Sequence, residues 1–142
     1  MYPADMPSLT GSCMCGTVRF EVTAPFTTAG YCHCTRCQHR TGVPWALSGI
    51  VDADGFEILQ GADEIRTYRP DDGWPKSFCG RCGGHLYAGE AKPGGEVGVR
   101  LGAMDQDPGI RPRWHQWVAS APEWEPLPDD GLPRFQGRRE HD

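Results

Sequence analysis

The chain has 142 residues, only 38% of them hydrophobic, with 19 glycines and 13 prolines. That length gives one domain with short tails, and the shortage of aliphatic residues predicts a thin core that needs another source of stability. A net charge of −5 leaves no concentrated basic surface for nucleic acid or an anionic membrane, and no apolar run approaches the ~20 residues that span a bilayer.

Met1 to Thr10 has neither the basic nor the apolar region of a secretory signal, so a reducing, cytoplasmic setting is expected. Gly11-Ser12-Cys13-Met14-Cys15-Gly16 then runs into Thr17-Val18-Arg19-Phe20-Glu21-Val22, where apolar and polar residues alternate with the period of a half-buried strand. Gly16 is placed to supply the turn that lets Cys13 and Cys15 face one point. Next comes the densest stretch of the chain, Cys32-His33-Cys34-Thr35-Arg36-Cys37-Gln38-His39, with one helical turn expected near Arg36 to Thr41 and a stop at Gly42.

Trp45 to Val51 is apolar enough for a central strand. Phe56 to Leu59 and Ile65 to Tyr68 are expected as a hairpin around Gly61-Ala62-Asp63. Lys76-Ser77-Phe78 leads into a second cysteine turn, Cys79-Gly80-Arg81-Cys82, and His85 to Ala88 leaves it as a strand. Glu96 to Leu101 alternates, and Arg113 to Ser120 is expected as the last strand. No amphipathic helix of three turns is present. Proline and acid break the pattern from Pro122 onward, and residues 137–142, with the Arg138-Arg139 pair, are expected to form a disordered, solvated tail. The result is an all-β domain of short strands.

Seven cysteines in CxC and CxxC spacing, an odd count with near neighbours poorly placed to bridge, point to metal rather than disulfides. Joining Cys13 and Cys15 to Cys79 and Cys82 completes a four-sulfur zinc site of the structural type and ties the first strand to the middle of the chain. Cys32, Cys34 and Cys37 remain. Three thiolates within six residues can share a second zinc, with the fourth position either closed by His33, His39 or His85 or left open. Spacing alone does not choose. An open three-thiolate zinc is a weak Lewis acid suited to a soft ligand, and a thiol held there as thiolate beside a small electrophile suggests carbon–sulfur bond formation or cleavage.

With those residues in view, the sequence resembles the glutathione-dependent formaldehyde-activating family, which includes the centromere protein V-like proteins. The matching blocks are Gly11 to Phe20, Cys32-His33-Cys34-Thr35-Arg36-Cys37 with Gly42, and Phe78-Cys79-Gly80-Arg81-Cys82-Gly83. Gly102-Ala103-Met104-Asp105 with Pro112, Ala121-Pro122-Glu123-Trp124 and Gly131-Leu132-Pro133 extend the likeness over residues 9–136, leaving 1–8 as a lead. The resemblance implies a tent-like fold of stacked short antiparallel sheets stapled by two zinc ions per chain. It assigns Cys13, Cys15, Cys79 and Cys82 to the structural zinc and Cys32, Cys34 and Cys37 to an open catalytic zinc. It also implies a carbon–sulfur lyase type activity that condenses formaldehyde with glutathione, so the expected partner is a small-molecule thiol.

One departure stands beside the site. Family members often carry Arg-Lys after the third cysteine of the central stretch, whereas this chain has Gln38-His39, and Arg36, Arg40 or Arg81 would have to supply the missing charge. His33 and His39 are candidates for metal support or substrate contact. The rival reading is a non-catalytic module, stabilised by two structural zincs, that binds a protein partner.

Overall fold

The computed structural model describes residues 8–140. Ten strands run in chain order as β1 (Leu9–Ser12), β2 (Arg19–Val22), β3 (Thr28–Cys32), β4 (Ala46–Asp52), β5 (Phe56–Gln60), β6 (Ile65–Tyr68), β7 (Lys76–Cys79), β8 (His85–Gly89), β9 (Glu96–Arg100) and β10 (His115–Gln116). One short helix, α1 (Thr35–Thr41), follows β3. The strands form a three-stranded sheet, β1-β2-β5, and a seven-stranded sheet, β10-β3-β4-β9-β8-β7-β6. Every pairing is antiparallel except that of β10 with β3. The all-β expectation therefore holds, with one parallel pair added.

The alternation in β2 does what its period requires: Val18, Phe20 and Val22 are fully buried while Arg19 and Glu21 are only partly so. Phe20 packs on Phe56 within the small sheet, and Phe56 meets Tyr87 of the large one edge-on at 5.0 Å, so aromatic rings join the two layers. Val51, Leu86, Val97 and Val99 complete the core, and β4 lies between β3 and β9 as its apolar sequence predicts.

Two expectations are corrected. Residues 56–68 do not form a hairpin. β5 pairs with β2 in the small sheet, while β6 pairs with β7 at the edge of the large one. Gly61 explains the change of sheet. Its φ of +80° and its packing, with a Cβ position 2.2 Å from the Thr17 carbonyl oxygen, start a 3₁₀ turn at Ala62–Glu64 that sends the chain away from β5. The last strand shrinks from residues 113–120 to His115–Gln116, because Trp117 adopts φ +58° and a 3₁₀ turn follows at Val118–Ser120.

Beyond Ser120 the chain is irregular but held. Amide–carbonyl bonds join His115 to Pro133, Phe135 to His115 and Trp117 to Gly137. The Arg139 guanidinium lies 4.8 Å from the Trp114 ring centre. Positions 1–7 of the expected lead and 141–142 of the expected tail lie outside the described residues. Trp114 itself lies flat on β3, where a Cβ at Gly30 would come within 2.3 Å of the indole, and its Nε1 donates to Thr28 Oγ1 at 2.8 Å. Gly30→Ala is accordingly expected to displace the ring and destabilise the domain by about 1–3 kcal/mol, measured by denaturant unfolding at saturating metal.

Candidate metal centres

The first cysteine group is assembled by two tight turns. Cys13 and Cys15 follow β1 in a loop closed by Cys13 N–H to Val18 O at 3.1 Å and Gly16 N–H to Cys13 O at 3.2 Å, with Gly16 at φ +79° as its sequence position predicts. Cys79 ends β7, and Gly83 N–H returns to its carbonyl at 2.8 Å, which folds Cys82 back toward it. The four Sγ atoms lie within 4.8 Å of one another. The Cys13–Cys15 and Cys15–Cys79 sulfur separations are 3.6 and 3.9 Å. Zinc–sulfur bonds of about 2.3 Å in a tetrahedron require sulfur–sulfur edges of ~3.8 Å, so these two separations match the edges of a tetrahedral zinc site. Backbone N–H groups of Val18 and Arg81 donate to Cys13 and Cys79 Sγ, a pattern that favours thiolates. The Thr17 hydroxyl beside Cys15 holds that thiol down to about 6.

The second group is local. Cys32 ends β3, Cys34 caps α1, and Cys37 lies in its first turn; their sulfurs also lie within 4.8 Å of one another. Cys34 has extended φ/ψ, and its sulfur accepts from Cys37 N–H at 3.3 Å, the role that serine or aspartate usually plays at a helix start. Gly42, at φ +76°, ends the helix with its N–H on Gln38 O. Hydrogen bonds from Cys32 and then Cys37 draw the Cys34 thiol far below its ordinary value, while Cys32 and then Cys34 push Cys37 up. Three thiols thus compete for negative charge, which a divalent cation relieves. No histidine joins either group among the described residues.

His33 is buried between the two cysteines and reaches away from the sulfurs, its Nε2 standing 2.8 Å from His115 Nδ1. His115 Nε2 stands 2.8 Å from Asp130 Oδ2, and Tyr31 stacks on the His115 ring at 4.8 Å. One proton lies in each of these contacts. Burial, then the charges of His115 and Arg134, lower the His33 pKa. Neither His115 nor Asp130 carries a sequence signal, since one lies in a two-residue strand and the other in irregular chain, both far from the cysteines in sequence. Replacing His115 by Phe keeps a ring on Tyr31 but leaves His33 Nε2 unpaired. The expected cost is about 1–3 kcal/mol, read from denaturant unfolding of the metal-loaded protein.

Gln38 resolves the departure beside the site. Its Nε2 donates to His33 O at 2.8 Å and Ser120 O at 2.9 Å, so it ties the cysteine stretch to the segment after β10. His39 is exposed on α1. Arg36 is paired with Asp72 at 2.6 Å, and Arg81 is exposed. Arg40 alone of the three candidate cations is drawn inward, and sequence reasoning missed the second buried arginine, Arg100 at the end of β9. A charged residue next to the buried Val97-Gly98-Val99 was the one available signal.

A cavity of about 570 Å³ is lined by Cys13 of the first group, while Cys32, Cys34 and Cys37 do not line it. Its lining also includes Thr41, Trp45, His85, Arg100 and Met104. Thr41 Oγ1 donates to the Cys37 carbonyl at 2.7 Å, which links the cavity lining to the backbone of the three-sulfur group. His85 is pushed down to about 4, by burial first and then by Arg40 and Arg100, which keeps its imidazole neutral near pH 7.

The model of the family described as "Glutathione-dependent formaldehyde-activating enzyme" matches residues 8–120, most of the chain. The chain belongs to that family. A protein of Halomonas elongata, provisionally named a glutathione-dependent formaldehyde-activating enzyme, is 31% identical over 124 residues, covering 82% of this chain and 78% of the relative. A crystal structure of a Rhodobacter sphaeroides protein has the same fold, with a TM-score of 0.55 and 22% identity over 89% of this chain and 98% of that one. Asp130 lies beyond the residues that the family model matches. Among the described residues no helix is long and apolar enough to cross a membrane.

Proposed function

We propose that the chain joins a thiol, glutathione or a close relative, to formaldehyde or a similar small electrophile, with zinc in both cysteine groups. The observation that carries this reading is the division of the seven cysteines. Four sulfurs make a complete set for one metal and three make an incomplete one, and the helix that carries two of the three, α1, also supplies Thr41 to the lining of a cavity large enough for a small thiol. All-sulfur donor sets of this size suit zinc among the divalent ions. Bound by Cys32, Cys34 and Cys37, zinc would supply an open coordination position at which a substrate thiol is held as its thiolate.

The surrounding residues do the rest. The Cys37 N–H fixes Cys34 Sγ, and the bond from Thr41 to the Cys37 carbonyl stiffens the turn that carries two of the three sulfurs. Trp45, edge-on to Tyr31 at 6.3 Å, forms a rigid apolar wall that limits water at the reacting end. In the reaction the thiol sulfur bonds to the aldehyde carbon, the carbonyl π pair moves to oxygen, and the proton lost by the thiol ends on the new hydroxyl. This is a carbon–sulfur lyase reaction run in the synthetic direction.

The test uses cobalt-loaded protein. Added glutathione should change its visible absorption, and formaldehyde with glutathione should give the hydroxymethyl thioether by NMR faster than without protein. A spectrum indifferent to every thiol would instead favour a module whose two metals are structural and whose surface serves a protein partner.

A further inference from the structure

Arg40, from α1, and Arg100, from β9, are a costly pair. Arg40 Nη1 and Arg100 Nε are buried and have no hydrogen-bond partner. The remaining contacts are thin: Arg40 Nη2 reaches Ser77 O at 3.5 Å, and Arg100 Nη1 reaches Ser48 Oγ at 3.0 Å. Burial, then repulsion from Arg100, brings Arg40 down to about 10; Arg100 is likewise lowered by burial, against the pull of Cys37, Cys32 and Cys34. Lys76, half-buried, is lowered by burial first and feels both arginines and the Cys37 and Cys34 thiols. None of these three cations has a carboxylate partner among the described residues. Buried cations without an anion are strongly unfavourable, so a protein retains them where an anion arrives.

The charges indicate how many anions are wanted. Three thiolates on a divalent metal leave one negative charge, and a substrate thiolate adds a second. That matches two of the three cations and leaves the third unmatched. Arg100 also lines the cavity, while Asp105, in the same lining, is already engaged by Arg19 and Thr10.

We infer that Arg40 and Arg100, supported by Lys76, form a receptor for a carboxylate carried by the substrate, so that the site selects thiols bearing a carboxylate a short reach from sulfur. Guanidinium N–H groups are the donors best matched to a carboxylate. Trp45 and neutral His85 would flank the connecting carbons. This inference rests on the reading of the three-sulfur group as an open metal site.

The experiment compares 3-mercaptopropionate with 3-mercapto-1-propanol, nearly equal in size, in absorption titrations of cobalt-loaded protein. The wild type should bind the carboxylate thiol at least about tenfold more tightly, the advantage of a charge-assisted contact. Arg100→Met should bring that ratio to about one, and Arg40→Met should lower it. Propionate should compete with 3-mercaptopropionate. Two metals per chain and an unchanged far-UV circular dichroism spectrum identify folded variants, with Arg100→Gln as the alternative where Arg100→Met does not fold. If the wild type binds both thiols equally, the carboxylate receptor is refuted while the open metal site stands. If both affinities fall together in Arg100→Met and the ratio survives, the arginines only balance the thiolates and the inference is wrong. If neither thiol binds, the open-site reading itself fails and this inference with it.

Discussion

Cys79→Ser is expected to leave a chain that does not fold. Cys79 is fully buried in the core cluster at the end of β7, and its sulfur belongs to the group that joins chain positions 64 residues apart. A cross-link closing a loop of that length removes about 4 kcal/mol of unfolded-state entropy by the chain-entropy estimate. Structural zinc contributes an apparent 10–16 kcal/mol in small domains, roughly the whole stability of an ordinary one, about 5–15 kcal/mol. A core of short strands and few aliphatics has no reserve to offset such a loss. Far-UV circular dichroism and limited proteolysis of the purified variant, with and without added zinc, provide the measurement. A variant with native circular dichroism and a cooperative melt in the presence of a chelator would show that the four-sulfur group is dispensable.

Cys34→Ser is expected to do the opposite: keep the fold and lose the thiol response. α1 contributes no buried residue, and none of the three cysteines belongs to the buried core cluster. Cys34 is also the helix cap, and serine is a better cap than cysteine, so its hydroxyl can accept from Cys37 N–H in place of the sulfur. What serine does not supply at neutral pH is a thiolate. Metal content should fall from two per chain to one, and the cobalt spectrum should no longer respond to glutathione. Unfolding of both variants alike would mean that the two cysteine groups share a structural role, and the enzyme reading would not survive it.

Period and turn chemistry carried much of the fold from residues alone. Val18, Phe20 and Val22 are buried where their alternation places them, and Gly16 and Gly42 take the left-handed backbone their turns require. The failures share a cause. Phe56 to Leu59 and Ile65 to Tyr68 look like hairpin partners because they are adjacent and strand-like, yet pairing is settled by which sheet edge is free, and Gly61 against Thr17 sends them to different sheets. The shortened β10 has the same origin in a left-handed Trp117.

For the site the division is sharper. The grouping of seven cysteines into four and three was readable because metal-binding turns are short, so ligand spacing within each turn is a local property of the chain. The buried charge and hydrogen bonding around them were not. Arg100 reaches the cysteines through the β4–β9 pairing, and Asp130 reaches His33 through His115, a residue brought beside Tyr31 by the parallel β10–β3 bridge. The sequence alone determined which atoms can hold metal. Which cations and imidazoles surround those sulfurs was decided only by the tertiary structure, because desolvation and partnering depend on segments that meet after folding.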